Sequence, residues 1–370
     1  MHEGVEGFDA ATAAGGARRG ARDAQVGRGV RGGAPTVLVT GATGQVGREL
    51  TARARGAVPV TRAECDLREV ARTGDAAWLV RRLREADGGA GRAVVNLAAW
   101  TDVDGAEDPA HAAEVEAVNA VAPGILAAAC ADAGVPFVHV STDYVFGGGT
   151  GSGTGTDTAA AAHAEPADAA DAAGPVDLAD PVVPANPVDP ASTPRRPWRV
   201  DDPPAPLNVY GATKRRGEEA VLAHGGTVVR TSWVWSGPHA PGRDFVATMA
   251  SLAGRGVDPR VVDDQWGRPT FAADLAAGLE RLVVHLLDGG DVPGGILHHT
   301  NSGEPVTWYD LAREVFRRTG HDPRRVTPCP TSGYPTVAPR PAWSVLDLGP
   351  WTDLLGEPPA WQDGLERGLR

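Results

Sequence analysis

Val37-Leu38-Val39-Thr40-Gly41-Ala42-Thr43-Gly44-Gln45-Val46-Gly47 is the stretch on which the fold turns. An apolar strand runs into a loop with glycines spaced G-x-x-G-x-x-G, and a helix is expected over 45–54. In that context Gly41 allows the tight turn, Gly44 lets backbone approach a pyrophosphate, and Gly47 lets helix pack on strand. The free N–H groups at the helix start then face the anion. Outward from this unit the chain alternates: strand 57–60, helix near 76–86, strand 94–97, helix near 111–133, strand 137–141. That alternation predicts an α/β fold, a Rossmann-like doubly wound parallel sheet. A helix beginning near Tyr210 and a strand over 227–232 continue it. Helices near 244–254, 274–287 and 307–319, mixed with short strands and prolines, predict a smaller C-terminal substrate-binding lobe.

The composition sets outer limits. With 370 residues, 42% of them hydrophobic, the chain can bury a sizeable core. Acidic residues outnumber basic ones 47 to 35 for a net charge of -12, which argues against nucleic acid or an anionic membrane as the main partner. No apolar run approaches the roughly 18 residues of a spanning helix, and the first 34 residues lack the apolar segment of a secretory signal. A cytoplasmic protein is expected. Cys65, Cys130 and Cys329 lie far apart without C-x-x-C spacing, so neither a disulfide framework nor a zinc knuckle is indicated. Two zones are too biased to build a core: a Gly/Ala/Arg tail over 1–34, and a Gly/Ala/Asp/Pro tract over 148–197 with no Lys or Arg between Gly148 and Pro194. Both are expected to be disordered. This leaves 35–147 as the dinucleotide-binding part, and 198–370 as the rest of that part plus the lobe.

The end of the second strand selects between NAD and NADP. A carboxylate about 20 residues beyond the first glycine would take the ribose hydroxyls of NAD. Here the text is Val60-Thr61-Arg62, with Glu64 and Asp66 further on. Thr61 offers no carboxylate and Arg62 can meet a 2′-phosphate, so NADPH is expected, with NADH as the alternative.

Lysine usage is the most informative count, because the chain contains a single lysine, Lys214, among 35 basic residues. Arginine replaces lysine wherever only a solvated charge is wanted, so the exception needs a reason. Tyr210-Gly-Ala-Thr-Lys214 puts phenol and amine one turn apart on one helix face. A nearby cation favours the phenolate and is expected to lower the tyrosine pKa toward working pH. Such a pair can give a proton to an oxygen while hydride reaches the adjacent carbon. Ser141-Thr142-Asp143 follows a strand at its carboxyl end, where open α/β sheets place ligands, and a hydroxyl there can bond both a carbonyl and the tyrosine.

These residues resemble the extended short-chain dehydrogenase/reductase family and, within it, the dTDP-4-dehydrorhamnose reductase branch. The likeness runs through VLVTGATGQVGREL, VVNLAAWTDVDGAE, VHVSTDYVF, PLNVYGATKRRGE, RTSWVW, DDQWGRPTFAADLA and PTSGYPTVAPRPAWSVLD. Sugar-nucleotide dehydratases of the family carry a Glu base where this chain has Tyr144. The resemblance implies reduction of the C4 ketone of a nucleotide-linked 6-deoxysugar, dTDP-4-dehydro-L-rhamnose, to dTDP-L-rhamnose. It implies Tyr210 as proton donor, Lys214 as pKa modifier and ribose ligand, and Thr142 tuning the pair. Gln45, Val46, Asp66, Leu67, Ala98, Ala99 and Trp100 match cofactor-contacting positions beside Gly41, Gly44, Gly47 and Arg62. Thr142, Asp143 and Trp233 match substrate-contacting ones, and Arg268, like Arg230 and Arg340, sits in a family motif where it can meet a diphosphate. Trp100, Trp266 and Trp343 stand where relatives carry smaller or more polar residues.

Some relatives use Mg²⁺ at a dimer contact. Glu49 matches one of its carboxylates, but no full set is present, so no metal is assigned. Monomer and homodimer both stay open. His298-His299 and Cys130 read as structural. Two other classes share the likeness: a non-catalytic NADP-binding regulatory subunit resembling that of methionine adenosyltransferase, and a nucleotide-sugar epimerase or dehydratase.

Overall fold

Strand β1 (Thr36–Thr40) is buried along its whole length, and its side chains alternate between two separate apolar layers. Val37 and Val39 join Leu50, Val95, Leu275 and Leu279 in one layer, while Leu38 joins Leu79, Val94, Leu126 and Val228 in the other. A strand covered on both faces reads as a continuous apolar run, the signature of a parallel sheet between two helical layers. The computed structural model describes residues 34–85, 91–147, 196–241 and 244–370, within one compact unit spanning Gly32–Arg370. The expected tail and the 148–197 tract lie outside the described residues, apart from Ala34, Arg196 and Pro197. Arg196 pairs with Asp202, so at that boundary the body begins two residues earlier than expected.

After β1 come α1 (Gln45–Arg53), β2 (Ala57–Val60), α2 (Leu67–Thr73), α3 (Ala77–Glu85) and β3 (Arg92–Asn96). The expected helix over 111–133 is instead two helices, α4 (Ala112–Glu116) and α5 (Ala122–Asp132), joined by one π-helical turn over Ala117–Val121. Then follow β4 (Phe137–Thr142), α6 (Val209–Ala223) and β5 (Thr227–Thr231). The chain continues with β6 (Val234–Trp235), α7 (Phe245–Gly254), β7 (Arg260–Val262), β8 (Trp266–Gly267), β9 (Thr270–Phe271), α8 (Ala272–Leu287), β10 (Ile296–His298), β11 (Val306–Thr307), α9 (Trp308–Arg318), β12 (Thr327–Cys329), α10 (Gly349–Leu355) and α11 (Trp361–Gly368). Of these, α8, β10 and α10 belong to the sheet body rather than to the lobe, with Leu275, Leu297 and Trp351 in its first layer.

The main sheet is wholly parallel in the order β10-β5-β4-β3-β1-β2. The chain leaves β1 to one side for β2 and returns on the other side with β3. The gap between the carboxyl ends of β1 and β3 is therefore the topological switch point, where sheets of this kind bind ligands. The lobe has its own core of Trp235, Val246, Phe271, Leu311, Phe316 and Trp361. Three two-stranded pairs stitch it together: β7 with β12, β8 with β11, and β6 with β9.

Pro109–Asp132 is long and apolar enough, by length and composition, to cross a bilayer, contrary to the expectation that no such run exists. Its apolar side chains are spent inside the body, with Ala122, Leu126 and Cys130 fully buried in the second layer. Arg230 on β5 and Glu218 on α6 form a bidentate ion pair at 2.9 and 2.7 Å, both 2% exposed, which ties α6 to the sheet. Having both partners present matters more than the net gain, since removing one would strand a buried charge.

Candidate active site

The phosphate loop is built as its spacing requires. Gly41 has φ +68, and a Cβ there would meet the Ala98 nitrogen at 2.6 Å; one on Gly47 would meet the Gly41 carbonyl at 2.3 Å. Helix α1 starts at Gly44 with no side-chain cap and no acidic residue in its first turn. Its unpaired N–H groups are thus left for an anion, and the loop and helix start fit a dinucleotide pyrophosphate.

This loop forms one wall of a cleft of about 710 Å³. Gly41, Gly44, Gln45, Val46, Gly47, Arg62, Asp66, Leu67, Ala98 and Ala99 line it. Thr142, Asp143, Tyr210, Lys214 and Trp233 line the same cleft. Two expected site residues lie elsewhere. The Trp100 indole donates to the Asp102 carbonyl at 2.9 Å and packs on His111, because Asn119 in the π-helical turn holds the Trp100 backbone from both its N–H and its C=O. Arg268 donates to the carbonyls of Gly303 and Leu346 at 2.8 and 2.9 Å and so fastens lobe segments together. Arg230 is consumed by Glu218, and Arg340 pairs with Asp104 at 3.0 Å beneath the Tyr144 ring.

The carboxylates after β2 are engaged. Glu64 accepts from the N–H and hydroxyl of Thr61 at 2.9 and 3.0 Å, and Asp66 caps α2 while paired with Arg68.

Asn208 caps α6 through the Gly211 N–H, and the first two turns of this helix, which packs against β4, carry Tyr210 and Lys214. The Thr142 hydroxyl donates to Asp143 at 3.0 Å, and Thr142 and Tyr210 both line the cleft. Burial pushes the Tyr210 phenol up to about 12, opposite in sign to the shift expected from its lysine neighbour. The reason is visible: the Lys214 amine is engaged by His139 Nε2 and the Val140 carbonyl, each at 2.9 Å, and burial outweighs any through-space charge. A phenol that stays protonated across neutral pH is the form needed to donate. Burial also raises Asp143 to about 7 and lowers Lys214 to about 8.

Trp233 has φ +49 and stacks on Trp308 with ring centroids 3.6 Å apart. A Cβ on Gly267 would strike its indole at 2.5 Å, so that glycine makes room for the ring at the cleft wall. Several participants carried no signal in the sequence. Asn96 and His139 lie 43 residues apart yet meet at 2.9 Å behind Lys214, and Asn119 lies 94 residues from its partner Thr213. Among the described residues no group of three or more His, Cys, Asp or Glu is arranged to hold a metal ion.

The buried imidazoles set a pH dependence of folding. Burial holds His298 and His299 at about 3 and His139 well below its ordinary value, so all are neutral in the native state. Above about pH 6.5 they are neutral in the unfolded chain as well. Below it only the unfolded chain takes up their protons, so stability is lost as pH falls. Between pH 7 and 5 His298 and His299 each cost about 2 kcal/mol, His139 adds a loss of the same sign, and Asp143, whose raised pKa acts with the opposite sign, returns about 2. Denaturant melts are expected to show a net loss of at least about 2 kcal/mol over that range. A flat profile would mean that the imidazoles are protonated in the folded protein.

The chain matches the family described as RmlD substrate binding domain over residues 35–170 and 188–370. It is 39% identical over 319 residues to a dTDP-4-dehydrorhamnose reductase of Mycolicibacterium smegmatis, covering 85% of this chain and 78% of that one. It is 38% identical over 341 residues to the protein of the same name from Mycobacterium tuberculosis, covering 90% and 92%. A solved structure of a Bacillus anthracis dTDP-4-dehydrorhamnose reductase in complex with NADP superposes with a TM-score of 0.67 at 26% identity, covering 90% of this chain and 98% of that one.

Proposed function

This chain belongs to the RmlD substrate binding domain family, and from that premise we propose that it is an NADPH-dependent reductase of dTDP-4-dehydro-L-rhamnose, forming dTDP-L-rhamnose. The observation that carries the reading is that Thr142, Tyr210 and Lys214 line the same cleft as the phosphate loop. NADPH, when bound, supplies the hydride. The α1 amides from Gln45 and Val46 would hold its pyrophosphate, Asp66, Leu67, Ala98 and Ala99 would border its nucleoside, and Arg62 would meet its 2′-phosphate. The protonated Tyr210 hydroxyl gives its proton to the C4 oxygen as that carbon gains hydride, so ketone becomes alcohol. Thr142 positions that hydroxyl, Lys214 offers its remaining hydrogen to a ribose, and Asp143 and Trp233 border the sugar. The reading places the enzyme in the cytoplasm, where its reductant is regenerated and the buried thiols Cys65, Cys130 and Cys329 stay reduced.

Following NADPH absorbance with a panel of 4-keto sugar nucleotides differing in base and sugar tests the proposal. Fastest consumption with the dTDP-linked rhamnose precursor is expected. Binding of NADPH without consumption would favour the regulatory-subunit reading, and tightly held NAD⁺ without net turnover would favour an epimerase.

Arg62 provides a narrower test. With Glu64 and Asp66 occupied, the guanidinium is the charged group at the end of β2 that lines the cleft and is not committed to either. Arg62→Ala is expected to raise KM for NADPH about 10- to 100-fold, the worth of one charge-assisted contact, and to leave NADH kinetics nearly unchanged. Equal losses with both cofactors would remove Arg62 from phosphate recognition.

A further inference from the structure

Behind the cleft a buried chain of polar side chains runs from the phosphate loop to Lys214. The Thr40 hydroxyl donates to Asn96 Oδ1 at 2.5 Å, and the Ala98 N–H donates to the same oxygen at 3.3 Å. Asn96 Nδ2 faces His139 Nδ1 at 2.9 Å, and His139 Nε2 faces Lys214 Nζ at 2.9 Å. Asn96 and His139 are 0% exposed and Lys214 is 1% exposed, so no solvent relieves a mismatch.

Counting hydrogens along this chain yields a constraint. A backbone N–H can only donate, so the Ala98 contact turns the Asn96 oxygen toward the loop and its NH₂ toward His139. The imidazole must then accept at Nδ1, and a neutral ring carries its one hydrogen on Nε2. That hydrogen points at Lys214 Nζ, which already donates to the Val140 carbonyl. A neutral amine accepts it; an ammonium would oppose hydrogen to hydrogen. An ammonium becomes compatible only when the Asn96 amide reverses, the ring hydrogen moves to Nδ1, and Nε2 accepts.

We propose that His139 is a positioning residue that, through the orientation of the Asn96 amide, decides whether Lys214 carries two hydrogens or three. The inference rests on the reductase reading, in which Lys214 serves the ribose and the phenol. Burial holds His139 neutral and lowers Lys214 to about 8, which is the range in which such a choice acts. The other charged groups on elements packed against α6 are accounted for. Glu218 on α6 itself raises Lys214 but is paired with Arg230 of β5. Glu116 on α4 pairs with Arg216, Glu107 accepts from the Val209 N–H at the helix start, and Asp143 is bonded to Thr142.

Because Lys214 is the only lysine in the sequence, uniform labelling with ¹³C,¹⁵N-lysine gives one side-chain signal, read in the free protein without substrate. In the unmodified protein the His139 ring is expected as the Nε2–H tautomer by ¹⁵N shifts, with Lys214 titrating below its ordinary value. In His139→Gln the amide oxygen can turn to Nζ and accept, and the titration is expected to rise by about one unit or more. Lysine charge is present below its pKa and lost above it, so the alkaline limb of kcat/KM is expected to move upward by the same amount. An Nδ1–H tautomer in the unmodified protein overturns the proposal even if His139→Gln fails to fold, and so does a lysine titration that the substitution leaves within a few tenths of a unit. Failure of every ketosugar to oxidise NADPH would count against the reductase reading alone, since the titration needs no substrate.

Discussion

Tyr210→Phe is expected to lower kcat by about 10³-fold while changing KM for the sugar nucleotide by less than about threefold. The substitution removes one oxygen and keeps the ring, so the edge contact with Tyr144 at 5.7 Å and the packing of α6 survive. What is lost is the hydroxyl that donates as the C4 oxygen gains charge. That interaction matters chiefly in the transition state, so it shows in kcat rather than in binding. Melting temperature is expected to stay close to that of the unmodified enzyme. Comparable loss in kcat and in substrate affinity would mean that the phenol holds the sugar without delivering the proton.

A second large effect is expected at a residue that touches no ligand. A Cβ on Gly211 would lie 2.2 Å from the Tyr144 carbonyl oxygen and 2.9 Å from its carbon. Gly211 is therefore the point at which α6 closes on the turn following Thr142, and it sits between Tyr210 and Lys214. Gly211→Val must push the helix off that turn, because the obstructing atoms are backbone. About 3 kcal/mol of stability is expected to go, at the upper end for overpacking. A displacement of about 1 Å between Tyr210 and Thr142 is expected to cost a further 10²-fold or more in kcat in the fraction that remains folded. Thermal melts and single-turnover rates separate the two losses. Normal turnover in the folded fraction would show that the closeness of α6 to Thr142 does not matter.

What the sequence revealed was local. The phosphate loop and the Tyr210–Lys214 pair are fixed by spacing within one turn or one helix start, and both stand where expected. The alternation of β1 between two layers follows from an uninterrupted apolar run. What escaped notice depends on contacts between distant segments. His139 is one apolar-strand position among several until Asn96 and Lys214, 43 and 75 residues away, close on it. Trp100 and Arg268 sit in the right motifs, but the Asn119 bonds and the Gly303 and Leu346 carbonyls hold them off the cleft. The sign of the Tyr210 shift is not legible in the sequence, because a pairwise charge argument contains no burial and here burial dominates. The π-helical turn in the long helix has no spacing signature, although it is what places Asn119.

Isotope transfer tests the central claim most directly. The enzyme is given dTDP-4-dehydro-L-rhamnose with NADPH carrying deuterium on the transferred position, and the product is read by NMR. One deuterium at C4 of dTDP-L-rhamnose for each NADPH consumed is the expected result. Product without deuterium at C4, or deuterated cofactor recovered intact from a converted sugar, would contradict the account.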